Sequence, residues 1–308
     1  KSHFGWTPVQ VQTDAATALV LFRQLPLGLT LAYIPKGPVG DWKDTARCQE
    51  LLGQIHREAR RQRAIFLKIE PDITETGGNS DNIPHRAVSF LTHCGFVPAD
   101  TIQPKTTIVV DIGGNEQTIL AAMKQKTRYN IRLAQRKEVT VRLGTEADLP
   151  AFYALAQETS KRDGFGIHSL TYYQTALRLF APDRGALLLA EYKQKPLAAL
   201  MTFRHGNDAY YFYGASSSSH RNLMPAYLLQ WEAIRWAKSY HCKSYDLWGI
   251  PDASPTELEA EFTQRSDGLW GVYRFKRGFG GQIIRSIGAF DYVYNPWLYQ
   301  VYRFYRRF

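Results

Sequence analysis

Lys36 lies in a loop whose composition would hold a cation against an anionic ligand. The surrounding sequence, YIPKGP (residues 33–38), places proline and glycine on either side of the lysine. Proline fixes the backbone of such a loop, and glycine allows the backbone to approach a ligand closely. A lysine held there can bind phosphate. The alternative that the sequence leaves open is a solvated loop lysine.

Arg221 follows a run of four serines and a histidine, residues 216–220, and precedes a predicted helix. Hydroxyls, free backbone donors and a bidentate guanidinium could bind an anion together at such a position. A serine-rich loop is equally typical of a flexible connection. The loop lacks the glycine-rich backbone cradle that acetyl-CoA enzymes place before this helix, which argues against an ordinary acetyltransferase.

Lys276 lies in the basic, glycine-rich segment YRFKRGFGG, residues 273–281. Its glycines would permit close approach of the backbone to a ligand. A fixed cation at this point could stabilise the negative charge that develops on a carbonyl oxygen during acyl transfer, so Lys276 is the predicted catalytic residue. The alternative is a basic surface turn that faces water. Three aspartates are candidate proton acceptors on position alone, and proton loss assisted by the substrate is equally open: Asp111, Asp246 and Asp252.

Hydrophobic periodicity predicts an α/β chain whose elements position these residues. The predicted helices cover residues 41–63, 116–137, 146–162, 170–180 and 225–240. The predicted strands cover residues 64–69, 107–112, 139–143, 186–192, 196–204, 208–216 and 244–248. Short polar connections join three of these strands into an antiparallel meander, and the order meander, helix, strand is typical of acetyltransferase-like domains. The change of domain is predicted near residue 138, and a terminal strand and helix are expected to return to the first domain.

Composition limits the partners without naming one. The 308 residues carry a formal net charge of +10 and a pI near 9.4, which favours polyanionic partners. No run approaches the roughly 18 uncharged apolar residues of a membrane span, so we expect a soluble, cytoplasmic protein. The three cysteines are far apart and the histidines lack metal-ligand spacing. The basic stretch 124–137 is typical of a solvated helix face, and the aromatic, basic tail 295–308 fits either a docked helix or an anionic membrane surface.

Three stretches taken together resemble the FemABX family of peptidoglycan bridge aminoacyl transferases. They are IPKGPV, KTRYNIRLAQRK, and YDLWGI followed by GLWGVYRFKRGFGG. The resemblance implies two acetyltransferase-like (GNAT) domains with mixed central sheets flanked by helices. It implies that residues 1–138 with 284–308 bind the acceptor and that residues 139–283 serve the aminoacyl-tRNA. No sustained charged heptads occur in the second half, so the chain resembles the members without a coiled-coil arm.

The function implied by the resemblance is transfer of an amino acid from aminoacyl-tRNA to the peptide-stem amine of UDP-MurNAc-pentapeptide or lipid II. Lys36 is similar to the family lysine that contacts the diphosphate of the acceptor, and Arg221 resembles the second diphosphate contact. Neither cofactor nor metal is implied, and we expect a monomer, with peripheral contact to the inner membrane surface left open. Two alternatives remain: a non-catalytic basic protein that binds RNA or a membrane surface, and an acyltransferase with another donor and peptide acceptor.

Overall fold

The computed structural model describes residues 2–75 and 82–305. Within these ranges the strands, numbered in chain order, are β1 (Trp6–Gln12), β2 (Thr17–Gln24), β3 (Thr30–Pro35), β4 (Ala64–Glu70), β5 (Val97–Ala99), β6 (Thr106–Asp111), β7 (Thr140–Leu143), β8 (Gly185–Tyr192), β9 (Lys195–His205), β10 (Asp208–Ser216), β11 (Ser244–Gly249), β12 (Gln282–Arg285) and β13 (Ala289–Val293). The α-helices are α1 (Thr45–Arg61), α2 (Ile83–His93), α3 (Glu116–Ala122), α4 (Gln125–Arg136), α5 (Leu149–Asp163), α6 (Leu170–Phe180), α7 (Pro225–Ser239), α8 (Pro255–Glu261), α9 (Trp270–Lys276) and α10 (Pro296–Tyr305).

The chain forms two compact units, and each is built on one mixed sheet. The first unit contains residues 1–105 and 284–308, and the second contains residues 106–283. Residues 106–138, which the sequence assigns to the first domain, therefore lie in the second unit. The physical reason is that β6 pairs with β11 and that Ile119 and Ile131 contribute to the second unit's core.

The first unit has a six-stranded sheet in the order β1-β2-β3-β4-β13-β5. Only the β3–β4 pair is parallel among its described strands. Helix α1 buries Leu51, Ile55 and Ala59 at helical spacing against this sheet. It begins where Asp44 accepts a hydrogen bond from the amide of Arg47 at 3.1 Å, which satisfies a free donor of the first turn.

A buried ion pair anchors the C-terminal segment to the first sheet. Strand β13 lies between β4 and β5, and Asp291 on β13 faces Lys68 on β4 with 2.8 Å between Nζ and Oδ1. Both side chains are buried, and the hydroxyl of Tyr299 on α10 donates to the other oxygen of Asp291 at 2.6 Å. Because an unpaired buried charge is costly, this three-residue network holds α10 onto the sheet.

The second unit has a seven-stranded sheet in the order β12-β6-β11-β10-β9-β8-β7. Strands β8, β9 and β10 pair antiparallel in sequence order, which confirms the predicted meander. The β8–β9 turn places Lys193 and Gln194 at φ values of 49° and 62°, the left-handed conformation that two-residue hairpin turns require.

The predicted helix over residues 116–137 is two helices in the structure. Met123 and Lys124 have ψ values of 151° and 146°, so the backbone is extended between α3 and α4. The Met123 side chain is buried in the core, and the guanidinium of Arg128 donates to the carbonyl of Ala121 at 3.2 Å. Arg128 thereby satisfies a carbonyl at the end of α3 that would otherwise be left without a helical partner.

Strands β10 and β11 stop pairing part-way along their length. Their parallel pairing runs from Asp208 with Ser244 to Tyr210 with Asp246. Beyond that point both strands are irregular, because the register of β10 shifts after Tyr211 and that of β11 shifts after Asp246. The end of this pairing frees backbone groups of β11, and Lys276 uses one of them.

Candidate active site

Lys276 ends helix α9 and points into the second unit. Only 5% of the residue is exposed. Its ammonium nitrogen donates a hydrogen bond of 2.7 Å to the carbonyl oxygen of Gly249, at the end of β11. The same nitrogen lies 5.6 Å from the centre of the Tyr211 ring on β10. Lys276 therefore lies where β10 and β11 have ceased to pair.

Burial changes the acid–base behaviour of Lys276. Loss of hydration lowers the pKa of its ammonium to about 7, and the nearby carboxylate of Asp246 acts in the opposite direction. Asp246 is itself 9% exposed, and it accepts a hydrogen bond from the amide of Trp248 at 2.7 Å. At neutral pH the side chain can gain or lose a proton, and its charged form acts in surroundings of low dielectric constant.

The glycines around Lys276 serve packing within the protein. A Cβ on Gly280 would lie 2.7 Å from the carbonyl oxygen of Ala122, and one on Gly281 would lie 2.6 Å from that of Val109. The amide of Lys124 donates to the carbonyl of Gly278 at 2.9 Å. These glycines therefore approach α3, α4 and β6 of the same unit closely, whereas the sequence analysis expected them to approach a ligand.

The two arginines beside Lys276 have structural partners. The guanidinium of Arg274 donates to the carbonyls of Phe262 and Thr263 at 3.0 and 2.9 Å. Arg277 donates from Nε to Glu259 at 2.9 Å, and Glu259 also accepts from the hydroxyl of Tyr273 at 2.7 Å. Of the three neighbouring cations, Lys276 is therefore the one that points inward to a strand end.

Lys36 follows β3 in the first unit. Its φ of 50° is left-handed, and its side chain is about half exposed. The ammonium forms an ion pair of 2.9 Å with Asp72, whose side chain is also largely exposed. Lys36 lines a shallow surface recess together with Glu70, Thr101, Gln103 and other residues of the first unit. An exposed ion pair of this kind contributes little stability, so an incoming phosphate could displace Asp72.

Glu70 positions both sides of the recess that contains Lys36. Its backbone carbonyl accepts from the amide of Gly37 at 3.0 Å. Its buried carboxylate accepts from the hydroxyl of Tyr33 and from the amide of Gln103, the latter at 3.1 Å. Burial raises the pKa of Tyr33, and the Glu70 carboxylate raises it further, so Tyr33 stays a neutral donor. Glu70 therefore ties the loop after β3 to the loop before β6.

Arg221 is exposed at the start of a short helical turn, residues 221–223, before α7. The serines that precede it are held by protein groups. The amide of Ser218 donates to the carboxylate of Glu158 at 2.6 Å, and the guanidinium of Arg162 donates to the carbonyl of Ser216 at 2.9 Å. A carboxylate thus already occupies donors that the sequence made available to an anion, and Arg221 remains exposed beside them.

The remaining candidates have different surroundings. Asp246 is the aspartate whose charge acts on Lys276. Asp252 accepts from the hydroxyl of Thr106 at 2.8 Å, and Asp111 accepts from the amide of Gly113 at 2.8 Å.

Some residues of the site were not found from sequence. The structure brings Lys276, Asp246 and Tyr211 together in the second unit and Lys36, Glu70 and Asp72 together in the first. Glu70 ends the mainly apolar strand β4 and Asp72 follows it, and polar residues at a strand end were an available signal. Tyr211 gave no such signal, because strand tyrosines are ordinarily packing residues.

Comparisons with known proteins agree with this architecture. The FemAB family model matches residues 4–195 and 188–307. The lipid II:glycine glycyltransferases of Staphylococcus haemolyticus (strain JCSC1435) and Staphylococcus saprophyticus subsp. saprophyticus are each 26% identical, covering 92% of this chain and 81% and 82% of theirs. The corresponding enzyme of Staphylococcus aureus (strain USA300) is 24% identical over 92% of this chain and 82% of its own.

Solved structures show the same fold. A crystal structure of FemX superimposes with a TM-score of 0.83 at 22% identity, covering 98% of this chain and 91% of that one. A tandem GNAT protein from the clavulanic acid biosynthesis pathway superimposes with a TM-score of 0.54 at 11% identity over 92% of this chain and 81% of its own. The predicted fold, mixed sheets flanked by helices in two GNAT-like halves, is confirmed. With a family model matching almost its whole length, the chain belongs to the FemAB family.

Proposed function

We propose that this protein transfers an amino acid from aminoacyl-tRNA to the peptide-stem amine of a peptidoglycan precursor and so builds an interpeptide bridge. Family membership and relatives named lipid II:glycine glycyltransferases support the reaction class and a lipid II acceptor. UDP-MurNAc-pentapeptide is the other acceptor that we propose.

The observation that carries the proposal is the buried ammonium of Lys276 at the end of β11. In the proposed reaction the acceptor amine attacks the ester carbonyl carbon, a C–N bond forms, and the carbonyl oxygen takes up negative charge. The C–O bond to the tRNA ribose then breaks, and the proton lost by the amine ends on that ribose oxygen. Lys276 stabilises the oxyanion, and its effect is large because the site excludes most water.

The hydrogen bond to Gly249 orients Lys276 for this role. It uses one of the three N–H donors of the ammonium and leaves two for a ligand. The carboxylate of Asp246 favours the charged form against the effect of burial. We propose no protein group as general base. The acceptor amine can lose its proton to the departing ribose oxygen within the reacting complex.

Lys36 is the proposed contact for the acceptor's phosphate groups, which both candidate acceptors carry. It projects from a left-handed loop position beside the recess, and the ion pair with Asp72 shows that its ammonium already holds an oxyanion at 2.9 Å. Arg221 is the proposed second phosphate contact. Its exposure supports this role, whereas Glu158 bonded to Ser218 makes the serine loop a poorer anion site than its sequence indicates.

Peripheral contact with the membrane surface is part of the proposal when lipid II is the acceptor. Among the described residues, no helix is both long and apolar enough to span a bilayer. Helix α10 exposes Trp297, at 72%, and Phe304, at 62%, which are seven residues apart and so lie on one side of the helix. Exposed aromatic side chains on one side of a helix suit the interface between lipid headgroups and water.

Mass measurement on the acceptor tests the proposal. Purified protein is incubated with a mixture of charged tRNAs and either lipid II or UDP-MurNAc-pentapeptide, with and without RNase. We expect the acceptor to gain one or more amino-acid residues, and we expect RNase to abolish the gain. A gain that survives RNase would instead indicate an acyltransferase with another donor. A folded protein that modifies neither acceptor would indicate a non-catalytic binding protein.

A further inference from the structure

Helix α4 presents a basic face that the proposed catalytic site does not use. From Gln117 to Lys137 the sequence contains no acidic residue, and residues 124–137 contain six cations. Four exposed residues lie opposite the buried side of α4 at spacings of four, three and four, which places them in one stripe: Gln125, Tyr129, Arg132 and Arg136. Lys126 and Lys137 are exposed beside the stripe.

The cations of the stripe are not neutralised by the protein. Neither Arg132 nor Arg136 forms an ion pair with any carboxylate that the structure describes, although many other surface arginines of the chain do. Arg136 instead lies over the ring of Tyr129, 5.7 Å from its centre. Tyr129 is 54% exposed. The stripe thus offers unpaired guanidinium groups and an aromatic ring to the same ligand.

This chemistry fits RNA better than a lipid surface. Guanidinium groups bind phosphates, and an exposed tyrosine ring can stack on an unpaired base. A membrane-bound helix needs a continuous apolar face, and the outer stripe of α4 offers one aromatic ring and no aliphatic side chain. The stripe occupies a helix of 12 residues, or about 18 Å, which is long enough to follow a nucleic-acid backbone.

The position of α4 connects this face to the catalytic lysine. The amide of Lys124, at the start of α4, donates to the carbonyl of Gly278, two residues after Lys276. The side chain of Thr127 packs against the same glycine. An RNA bound along α4 would therefore run towards the segment that carries Lys276, where the aminoacyl end must arrive.

We infer that the exposed stripe of α4 is the docking surface for the RNA body of the donor. This inference rests on the proposed function, because it assigns the donor of that reaction to a surface. It separates two tasks within the second unit: Lys276 acts on the ester, and α4 binds phosphates away from it.

Charge reversal on α4 tests the inference. We expect the double variant R132E/R136E to raise the KM for charged tRNA at least about 10-fold while kcat changes less than about 2-fold. The slope of log KM against log salt concentration should fall by about 1 to 2, because each lost phosphate contact removes close to one released counterion. The matched control R57E/K161E changes the net charge equally at two exposed residues on other helices, α1 and α5, and it should behave as wild type.

A short donor and direct binding make the outcomes distinguishable. An aminoacylated CCA trinucleotide carries the ester without the RNA body, so the two α4 substitutions should leave its kcat/KM unchanged. Binding of uncharged tRNA, followed by fluorescence anisotropy, should weaken in R132E/R136E and not in the control. If the wild type binds tRNA through α4 but transfers nothing, the proposed function fails and the docking surface stands. If R132E/R136E matches the control in both the kinetic assay and the tRNA-binding assay, the docking surface is overturned. The same conclusion follows if this variant loses binding to anionic lipid vesicles and keeps its binding to tRNA.

Discussion

The ammonium of Lys276 donates a 2.7 Å hydrogen bond to the carbonyl oxygen of Gly249, where β11 has stopped pairing with β10. This bond links a lysine from a glycine-rich turn to a strand end 27 residues earlier in the sequence. It gives a buried cation a fixed direction. The proposed chemistry depends on that direction, because stabilisation of an oxyanion requires a donor that is already in place.

Replacing Lys276 with methionine should stabilise the protein while removing its activity. Burial lowers the lysine pKa from 10.5 to about 7, so below pH 7 the folded state carries the full cost of holding the ammonium out of water. We expect Lys276→Met to raise the free energy of unfolding at pH 7 by about 1–3 kcal/mol, because an apolar isostere avoids that cost. Thermal melts followed by circular dichroism measure it.

The pH dependence of that gain is part of the same prediction. As pH rises from 7 to 10.5, the lysine of the unfolded chain also loses its proton, so the advantage of Lys276→Met should shrink towards zero. A variant that is less stable than wild type at pH 7, or whose gain is the same at both ends of this range, would contradict the burial of a costly charge.

The advantage of wild type over Lys276→Arg in aminoacyl transfer should fall as pH rises through about 7. Lys276 must be protonated to stabilise the oxyanion, and burial lowers its pKa to about 7, whereas arginine keeps its charge. The acceptor amine must be neutral to attack, so its own titration raises the rates of both proteins with pH and cancels in their ratio. The ratio of single-turnover rates, wild type over Lys276→Arg, should therefore fall with an apparent pKa near 7. A ratio that does not change with pH would contradict the charged role of Lys276.

Lys36 and Asp72 should have opposite effects on use of the acceptor. Lys36→Ala removes the proposed phosphate contact, so we expect the acceptor KM to rise about 10-fold or more with little change in kcat. Asp72→Asn removes the carboxylate that now competes for the ammonium at 2.9 Å, and it should lower that KM by up to about 5-fold. Steady-state kinetics with a fixed donor concentration measure both. Equal KM values in the two variants would remove Lys36 from the acceptor site.

His56 should make the first unit sensitive to mild acid. Its Nδ1 lies 2.6 Å from the hydroxyl of Tyr294, and its ring lies 4.4 Å from that of Tyr292. Burial lowers the pKa of His56, and the positive charge of Arg60 lowers it further, from 6.5 to about 4 in total. The unfolded chain therefore takes up a proton before the folded chain does, and stability present above pH 6.5 is lost as pH falls to about 4.

Denaturant titrations of wild type and His56→Phe between pH 7 and 4 test this contribution. We expect the wild type to lose about 1–3 kcal/mol more than the variant across that range. The comparison uses the change with pH and not the absolute stability, since the substitution also removes the partner of Tyr294. Parallel curves for the two proteins would exclude His56 as the source.

Hydrophobic periodicity predicted most strands and helices of the fold. It did not predict the features that depend on individual side-chain contacts or on pairing between distant segments. Mainly apolar strands, such as β4 and β8, and amphipathic helices, such as α6, occur close to their predicted bounds. The break between α3 and α4 was not predictable, because it depends on Arg128 satisfying carbonyls eight or fewer residues before it. The placement of residues 106–138 depends on strand pairing between residues more than 100 positions apart.

The site was predictable in residue type and not in surroundings. The glycine-rich segment identified Lys276, but its three cations gave no sign that this lysine is only 5% exposed. Burial here comes from glycines packed against α3, α4 and β6, which are contacts between distant segments. The serine run before Arg221 indicated free donors, and Glu158, some 60 residues earlier, occupies part of them.

The most direct test of the central claim is a single-turnover measurement of aminoacyl transfer in wild type and Lys276→Gln, with the binding of each substrate measured separately. We predict that the wild type adds an amino acid from charged tRNA to lipid II or UDP-MurNAc-pentapeptide. We predict that Lys276→Gln slows this step at least about 100-fold while its affinities for acceptor and donor stay within about 3-fold of wild type. A folded Lys276→Gln variant that transfers at the wild-type rate would contradict the account.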